Sequence, residues 1–507
     1  MISRRSFLQI AAATSAIMGG PSAVALAAGR QSLSQSDLLQ FDSVGQVTLL
    51  HITDCHAQLK PLYFREPSIN LGVGEVKGLP PHITGEDFLR SFNIKAETPE
   101  AYALTSESFT SLAREYGRIG GMDRIATLVK AIRAERPDNT LFLDGGDTWQ
   151  GSYTALKSSG EDMVDVMNAM GVDAMTAHWE FTYGTDRVME LKDKLNFPFV
   201  AANVKDTEWE EPVFEPMTWF EKAGVKIAVI GQAFPYTPVA NPRYKIPQWS
   251  FGIQENLVQE NVDAARKKGA DLSVLLSHNG FDVDRKLASR VNGIDVILTG
   301  HTHDALPVSI TVNDTLLIAS GSHGKFLSRL DLDVQNKKIK QFRYQLIPVF
   351  ADAIAPDPEM AALIDRIRKP HAKVIDEVLG RTDSLLYRRG NFNGTFDDLI
   401  CQALMSERDA QIALSPGFRW GTSLLPGQDI TLEDVHNACA MTYPAAYRSS
   451  MTGQMLKDIL EDVGDNLFNK DPYYQQGGDM VRVGGMGYTI YPDKEIGERI
   501  SGMTLLA

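Results

Sequence analysis

The chain has 507 residues, which corresponds to roughly two to four domains of ordinary size. Hydrophobic residues make up 43% of it and charged residues 22%, which is typical of a globular protein and excludes long disorder, collagen or coiled coil as the main architecture. The formal net charge of −14 is opposite to that of a basic nucleic-acid binder, and three cysteines are too few for a disulfide framework.

Residues 1–27 have the features of an export signal. Arg4 and Arg5 precede a weakly apolar stretch, and 25–27 offer a cleavage site with small residues. The paired arginines resemble the twin-arginine type of signal, which predicts a periplasmic protein. The alternative is a basic N-terminal helix on a cytoplasmic protein. The chain has no run of about 18 apolar residues, so the sequence predicts no membrane span.

Residues 42–350 alternate between strand-like and helix-like stretches. The strand-like runs are short, rich in Val, Ile and Leu, and bounded by Gly or polar residues, as buried strands are; they cover 47–52, 140–143, 197–201, 226–230, 272–276 and 294–298. Between them, 122–134 and 254–268 have the spacing of amphipathic helices. This alternation predicts an α/β domain built on mostly buried strands.

Polar residues follow directly after several strand-like stretches of this domain. Ligands bind outside the carboxyl ends of strands in an α/β sheet, so these segments are expected to meet at one edge. Taken singly, each cluster is also compatible with a turn or a buried structural histidine. Together, carboxylate and neutral imidazole suit Mn, Fe, Zn or Co, and so many ligands indicate two ions that share a bridging carboxylate. The candidate metal ligands, which are also the candidate catalytic residues, are Asp54, His56, Asp147, His178, His278, His301 and His303.

The remaining stretches predict an insertion, a linker and a second domain. Residues 58–118 have weak periodicity, and a loop of this length is usually functional or disordered. Because the segment follows the first metal motif directly, we expect it at the rim of the active site, where it would shape a channel for a carrier-protein arm; a lineage-specific surface loop is the alternative. A linker helix is predicted over 356–379, bent or ended at Pro370, and the second domain covers 380–507.

The order of the metal motifs resembles the calcineurin-like metallophosphoesterases, in the arrangement found in bacterial 5'-nucleotidases. The motifs read Asp54-Cys55-His56, Gly146-Asp147, His178-Trp179-Glu180, His278 and Gly300-His301-Thr302-His303. The resemblance to this superfamily covers most of 42–507, and the closer match is to the SoxB family of thiosulfohydrolases. The resemblance implies a four-layer α-β-β-α metallophosphoesterase sandwich, followed by a smaller α+β nucleotidase-type C-terminal domain. It also implies two Mn²⁺ ions, although Zn and Fe tolerate the same ligands.

The same resemblance assigns roles to individual residues. The first ion would be held by Asp54, His56, Asp147 and His303, and the second by Asp147, His178, His278 and His301, with Asp147 bridging. In the second domain, Arg419 falls where nucleotidases carry an arginine that grips the phosphate, and a surface arginine is the alternative. Arg389 is a further candidate for substrate binding. Family members usually continue beyond residue 507, which predicts that a late part of the second domain is missing.

The motif around His178 departs from the nucleotidase pattern. Nucleotidases have a catalytic histidine where this chain has Trp179, and an aspartate that orients it where this chain has Thr182. A nearby imidazole helps an alkoxide-like oxygen to leave a phosphate ester. A sulfur leaving group is much less basic, since an ordinary thiol has a pKa of about 8.5, and therefore tolerates the loss. The departures favour cleavage of an S–S bond, and Trp179 becomes a candidate substrate-binding residue.

The resemblance to SoxB implies a hydrolase that releases sulfate from a cysteine S-thiosulfonate on the SoxYZ carrier protein in thiosulfate oxidation. Attack of a dimetal-bound hydroxide on the sulfonate sulfur would expel the cysteine persulfide of the carrier. Two alternatives stay open: a periplasmic 5'-nucleotidase or phosphodiesterase, and a catalytically degenerate metal-binding interaction protein. Cys55 is expected to be a small buried residue that points away from its ligand neighbours, and His323 could lie near the site.

Overall fold

The computed structural model describes residues 33–439, 442–443 and 445–506, so the predicted export signal lies outside the described residues. The described residues divide into two compact units. The first unit comprises 33–62, Thr98–Glu100 and Tyr116–Lys373, and the second comprises Tyr63–Glu97, Ala101–Glu115 and the described part of 374–506. Within these described ranges, no helix combines the length and the apolar character needed to cross a bilayer.

The first unit is built on two sheets. Its strands are β1 (Val47–Ile52), β2 (Thr140–Asp144), β3 (Ala174–Met175), β4 (Lys205–Asp206), β5 (Met217–Lys222), β6 (Val225–Gln232), β7 (Trp249–Ser250), β8 (Leu272–Ser277), β9 (Val296–Thr299), β10 (Ile310–Val312), β11 (Thr315–Ala319), β12 (Phe326–Gln335) and β13 (Lys338–Pro348). The first sheet has the order β13-β12-β1-β2-β3, and the second has the order β10-β11-β9-β8-β6-β5. The short strands β4 and β7 pair separately.

The central strands are buried along their whole length, which explains their mostly apolar sequences. All six residues of β1 are buried, and β1 pairs in parallel with β2 and antiparallel with β12. All six residues of β8 are buried between the parallel neighbours β6 and β9. The edge strand β5 runs antiparallel to β6, and its residues are mostly half-buried. Parallel strands of this kind need cover on both faces.

Helices provide that cover and complete a four-layer α-β-β-α sandwich. The helix Met122–Glu135 buries Ile125, Leu128, Val129 and Ile132 on one side, as its spacing predicts. The helices of this unit are Gln35–Leu38, Met122–Glu135, Tyr153–Ser158, Glu161–Met170, Thr185–Lys194, Thr237–Ala240, Glu255–Lys267, Phe281–Arg290 and Pro358–Arg368. The helix Ala372–Ile375 follows a 3-10 turn at Lys369–His371, which contains the Pro370 at which a bend or end was expected.

The second unit is smaller and mixes helices with paired strands. Its strands are β14 (Val378–Arg381), β15 (Ala413–Gly417), β16 (Asp429–Thr431), β17 (Asp479–Gly484), β18 (Met486–Ile490) and β19 (Ile500–Leu505), which form the pairs β14-β16, β15-β17 and β18-β19. Its longer helices are Thr395–Arg408, Leu432–Cys439 and Gly453–Phe468. One apolar core joins Leu456, Leu460, Phe468 and Met480, all of which are buried.

The segment between the first metal motif and Arg118 has more structure than its weak periodicity indicates. It contains the helices Gly85–Phe92, Pro99–Leu104 and Phe109–Tyr116. Most of it belongs to the second unit, where Val73 joins the apolar core just described. The location of this segment at the rim of the active site stays a prediction.

One predicted strand is not a regular strand. Residues 197–201 form only isolated bridges, from Phe199 to Met175 and from Val200 to Glu215. The run has the composition of a buried strand, and Val200 and Ala201 are fully buried. The strand prediction was wrong here because a buried connection and a buried strand have the same apolar composition.

Candidate metal centre

Strand ends of both sheets bring the seven candidate ligands together. In the first sheet, Ile52 pairs with Asp144, and Asp144 pairs with Met175, so β1, β2 and β3 end side by side. In the second sheet, Ser277 pairs with Thr299, so β8 and β9 also end together. Each candidate ligand lies within a few residues of one of these ends, as Asp54 does after β1. All seven lie in the first unit.

The ligand atoms form two groups that share one carboxylate. One group is Asp54, His56, Asp147 and His303, and the other is Asp147, His178, His278 and His301; within each group the ligand atoms all lie within 4.8 Å of one another. These are the same two sets that the family resemblance implied. The site is fully or nearly enclosed, since the most exposed of the seven, His301, has only 9% of its surface accessible.

Distances within the groups are those of a coordination shell. Asp147 Oδ2 lies 3.1 Å from Nδ1 of His178 and 3.1 Å from Nε2 of His278. His303 Nε2 lies 3.2 Å from Asp54 Oδ1 and 3.1 Å from His56 Nε2. Two ligand atoms that are each about 2.1 Å from one ion and at right angles to each other are about 3 Å apart. The spacing therefore fits one divalent ion in each group.

The backbone at the ligands is unusual. Positive φ angles occur at Asp54, His56, Asp147, His301 and His303, which is five of the seven ligands. Residues other than glycine rarely adopt this conformation, and such residues cluster at functional sites where the surrounding fold holds them. The surrounding fold therefore holds these ligand loops in a backbone conformation that is unfavourable for residues with side chains.

Close approach of two loops also requires glycine. A Cβ atom at Gly300 would lie 2.4 Å from Thr53 Oγ1, 2.9 Å from His278 Nδ1 and 3.2 Å from Asp54 Oδ2. Without a side chain at this position, the backbone N–H of His301 reaches the Asp54 carboxylate at 3.0 Å. Gly300 therefore joins the ligand loop of the second sheet to that of the first.

Neighbouring groups fix the orientation of individual ligands. His278 Nδ1 lies 2.6 Å from the carbonyl oxygen of Gly145, to which it donates, and this leaves Nε2 as the atom that faces Asp147. Thr53 Oγ1 donates to Asp54 Oδ2 at 2.7 Å, and the backbone N–H of Trp179 donates to Asp147 Oδ1 at 2.7 Å. Such outer contacts set the tautomer and the direction of a metal ligand.

The electrostatics of the centre favour positive charge beside the carboxylates. Burial alone would lower the pKa of His278, but the carboxylates of Asp54 and Asp147 raise it to about 10. Burial alone would raise the pKa of Asp147, but the imidazoles of His178 and His278 hold it well below its usual range. A divalent cation supplies the positive charge that these groups otherwise take from protons, and the nitrogen and oxygen donors suit Mn, Fe, Zn or Co. The residues therefore fit a two-metal centre, whose metal identity the donor set leaves open.

Other residues from the sequence analysis lie where their surroundings can be described. His323 is near the first group, with its ring 5.5 Å from that of His56 and 5.8 Å from that of His303. Cys55 is buried, and burial raises the pKa of its thiol well above the usual range. Its Sγ lies 3.9 Å from the carbonyl oxygen of Thr53, and the thiol belongs to neither ligand group.

The three candidate substrate-binding residues have different surroundings. Trp179 is nearly buried, and its ring lies 5.6 Å from that of His178. Arg419 belongs to the second unit, where it donates to the carbonyl oxygen of Gly478 at 2.5 Å and lies 3.7 Å from the carboxylate of Asp479. Arg389 belongs to the second unit as well and is buried.

The sequence analysis missed Phe234, which packs on two ligands of the second group. Its ring centroid lies 4.0 Å from that of His178 and 4.1 Å from that of His301. Phe234 follows β6, and Gln232 of β6 pairs with Ser277 of β8, so β6 ends at the same edge as β8. The signal in the sequence is the position of Phe234 shortly after the strand-like run 226–230, at an edge where ligands follow the neighbouring strands.

Comparisons with known proteins agree with this architecture. The family model for the calcineurin-like phosphoesterase matches residues 47–305, about half of the chain, and the model for the 5'-nucleotidase C-terminal domain matches residues 378–506. A solved structure of the Thermus thermophilus sulfate thiohydrolase SoxB is 36% identical, with a TM-score of 0.89 over 92% of this chain and 87% of that chain. A 5'-nucleotidase precursor from Thermus thermophilus, at 21% identity and a TM-score of 0.69, covers 91% of this chain and 85% of its own and shares the fold.

Curated relatives are more distant. The 5'-nucleotidase of Diplobatis ommata is 26% identical over 351 residues, which is 63% of this chain and 58% of that protein. The matches to the nucleotidases of this group therefore span less than two thirds of the length of those proteins. The chain belongs to the calcineurin-like phosphoesterase family, carries a 5'-nucleotidase C-terminal domain, and within that family it groups with SoxB.

Proposed function

We propose that the protein is a thiosulfohydrolase that releases sulfate from a cysteine S-thiosulfonate on the SoxYZ carrier protein. The observation that carries the proposal is the pair of ligand groups joined by Asp147, in a chain that is 36% identical to SoxB. In the reaction, water adds to the terminal sulfonate sulfur, and the bond between that sulfur and the neighbouring sulfur breaks. Sulfate leaves, the carrier keeps a cysteine persulfide, and protons pass to solvent.

The cofactor in this proposal is a pair of Mn²⁺ ions. Two such ions would lower the pKa of water and neutralise the oxygens of the sulfonate. The protein contributes the geometry: Asp147 spans both groups, and Phe234 keeps the imidazoles of His178 and His301 in fixed orientations by packing on them. Burial of the ligands excludes bulk water, which strengthens electrostatic interactions in the site.

The substrate class follows from the residues beside His178. The nucleotidases that this chain resembles have a catalytic histidine at the position of Trp179. Here the position holds an indole that is nearly buried. Thr182, at the position of the orienting aspartate, is fully buried and carries no charge. A persulfide is a good leaving group without protonation, whereas an alkoxide is not. The pair of substitutions supports a sulfur leaving group.

Two further parts of the proposal concern substrate binding and location. Arg419 and Arg389 are proposed to bind the sulfonate, because a guanidinium matches an oxyanion with two parallel hydrogen bonds. The protein is proposed to reach the periplasm by the twin-arginine route, on the basis of Arg4 and Arg5.

The experiment that tests the function compares two substrates on one preparation. Protein reconstituted with Mn²⁺ is incubated with thiosulfonated SoxYZ, and in parallel with AMP, and sulfate and phosphate are measured. Sulfate release that is lost in Asp147→Asn supports the proposal. Metal binding without turnover of either substrate would contradict the proposal and would indicate a catalytically degenerate metal-binding protein.

A 5'-nucleotidase is the second candidate, and two observations favour it. The C-terminal domain matches the 5'-nucleotidase model, and the curated relatives named above are nucleotidases. Phosphate release from AMP at a rate well above that of sulfate release would establish this function instead.

A further inference from the structure

Glu180 is a buried carboxylate whose partners are backbone amides of the ligand loops. It lies at the start of the 3-10 helix Trp179–Tyr183 and has no accessible surface. Its Oε1 accepts the N–H of Thr148 at 2.6 Å and that of Trp149 at 3.1 Å. Its Oε2 accepts the N–H of His178 at 2.7 Å and that of Asp147 at 3.2 Å.

These four donors come from two segments that each carry a metal ligand. Residues 147–149 follow β2, and His178 follows β3. A buried carboxylate is costly unless it is well hydrogen-bonded, so this arrangement persists only while both segments present their amides to it. The carboxylate therefore ties the backbone of one ligand loop to that of the other.

The hydrogen bonds between the two loops run in both directions. The N–H of Trp179 donates to Asp147 Oδ1 at 2.7 Å, while the N–H of Asp147 donates to Glu180. Each loop thus supplies a carboxylate to the amides of the other. Between the two loops, Asp147 Oδ2 and His178 Nδ1 are 3.1 Å apart, and both residues belong to the second ligand group.

We infer that Glu180 is a positioning residue that sets the distance between the bridging ligand Asp147 and His178, and thereby determines the affinity of the second metal site. It acts through backbone amides and belongs to neither ligand group. The inference rests on the two-metal centre of the proposed function, and it is independent of which substrate the enzyme cleaves.

The test is a measurement of Mn²⁺ binding to the full chain. In the native protein each carboxylate oxygen of Glu180 accepts two backbone N–H groups. Glu180→Gln replaces one of these oxygens by an NH₂ group, which cannot accept them. We expect the wild type to bind two ions and the variant to bind the second roughly 10–100-fold more weakly, as is usual when an outer contact of a ligand is lost. The electron paramagnetic resonance signal should change from that of a coupled Mn²⁺ pair to that of an isolated ion.

The control is a buried carboxylate outside the ligand loops. Asp162 is nearly buried and accepts from Ser158 Oγ at 2.8 Å and from the N–H of Met163 at 2.9 Å. Asp162→Asn changes a buried carboxylate that belongs to neither ligand group, so both ions should bind with native affinity. If Glu180→Gln does not fold, Glu180→Asp, which keeps the charge on a shorter stem, gives the same readout with a smaller loss of affinity.

The outcomes separate the inference from the proposed function. A wild-type protein that binds no metal would contradict the two-metal centre on which the proposed function rests. A wild type with two tightly bound ions, together with a Glu180 variant that folds and keeps both affinities and the coupled spectrum, would overturn the positioning role. Equal losses in Glu180→Gln and Asp162→Asn would overturn it as well, because the effect would then be general destabilisation.

Discussion

Asp147 belongs to both ligand groups, and its two carboxylate oxygens have different neighbours. Oδ2 faces the imidazoles of His178 and His278 at 3.1 Å, while Oδ1 accepts a backbone N–H from Trp179. A residue shared by two sites affects both when it is changed, whereas His178 belongs to one group only. A substitution of Asp147 therefore removes a ligand from both metal sites, whereas a substitution of His178 removes a ligand from one.

Asp147→Asn and His178→Ala are expected to differ in metal content. The amide introduced by Asp147→Asn carries no charge to bridge two cations, so this variant should bind fewer than one ion per chain after dialysis. His178→Ala leaves the first group complete and should keep one ion. Metal analysis by mass spectrometry measures both ratios.

His371→Ala is the matched control, since His371 lies in the same unit, meets the ring of Tyr153 edge-on and belongs to neither ligand group. It should retain two ions. Two ions in Asp147→Asn would contradict a bridging role for this carboxylate, and loss of both ions in His178→Ala would contradict the division into two groups.

Asp284 is a buried acid outside the ligand groups whose ionisation should oppose folding. It is fully buried, and its Oδ1 accepts from Ser277 Oγ at 2.8 Å and from Asn279 Nδ2 at 2.9 Å. Burial raises its pKa to about 6, above that of an unfolded aspartate. The folded state therefore holds a proton that the unfolded state has lost between about pH 4 and pH 6, and stability falls as the pH rises through this range.

Asp284→Asn should remove this pH dependence, because Asn keeps an acceptor for both donors and does not ionise. Relative to the wild type, the variant should gain up to about 3 kcal/mol in the free energy of unfolding between pH 4 and pH 7. Urea denaturation in the presence of a chelator, which removes the separate effect of metal, measures the difference. Curves that stay parallel from pH 4 to pH 7 would contradict the prediction.

The elements that the sequence predicts best are those buried on both faces. The runs at 47–52 and 272–276 correspond closely to β1 and β8, because a strand that is covered on both faces is mostly apolar. The site was predictable from the clusters taken together, because polar residues follow several such strands and strand ends meet at one edge; each cluster alone is also compatible with a turn or a buried structural histidine. The long hairpin of β12 and β13 was not predicted, since many β13 residues are exposed or half-buried and its sequence is mostly polar.

Short helices and long-range packing could not be predicted from the sequence. The helix Gly85–Phe92 has eight residues, too few for a clear period of 3.6. That Val73 packs with Leu456 and Met480 depends on a contact across nearly four hundred positions, which no local pattern contains. Phe234 was missed for a different reason: its function is packing on ligands, and an aromatic residue near a strand end is usually ordinary core.

Asn391 attaches the inserted segment to the rest of the second unit. Its Oδ1 accepts the N–H of Leu71 at 2.6 Å, its N–H donates to Ile69 O at 3.3 Å, and its Nδ2 donates to Asp479 Oδ1 at 3.4 Å. The side chain is 5% exposed, so an alanine there would leave the Leu71 amide without this acceptor.

Asn391→Ala should loosen the segment 63–97 before the rest of the unit. The loss of a buried hydrogen bond is expected to cost about 1–3 kcal/mol. Hydrogen exchange should become faster at residues 69–71, and limited proteolysis should cut the segment first. Asn393→Ala, two positions away at an exposed site, is the control and should match the wild type. Equal exchange at 69–71 in all three proteins would contradict the role of Asn391.

At the scale of the molecule, the ligands of the metal centre all belong to the first unit. The seven ligands come from separated segments of the first unit, and the described residues of the second unit contribute none to either group. The centre exists only when the first unit is folded, so metal binding must stabilise that unit. A ligand present at 100 times its dissociation constant contributes about 2.7 kcal/mol per site.

Hydrogen exchange of the full chain with Mn²⁺ and with a chelator should show this stabilisation residue by residue. Amides in the ligand loops should exchange more slowly with metal, and so should those of β1 and β8, since exchange from the buried strands requires opening of the unit that metal stabilises. Amides of the helix Gly453–Phe468 in the second unit should exchange at the same rate in both conditions, because metal has no ligand there. Asp147→Asn should abolish the protection in the strands. Equal protection of β8 and of Gly453–Phe468 by metal would contradict the confinement of the stabilisation to the first unit.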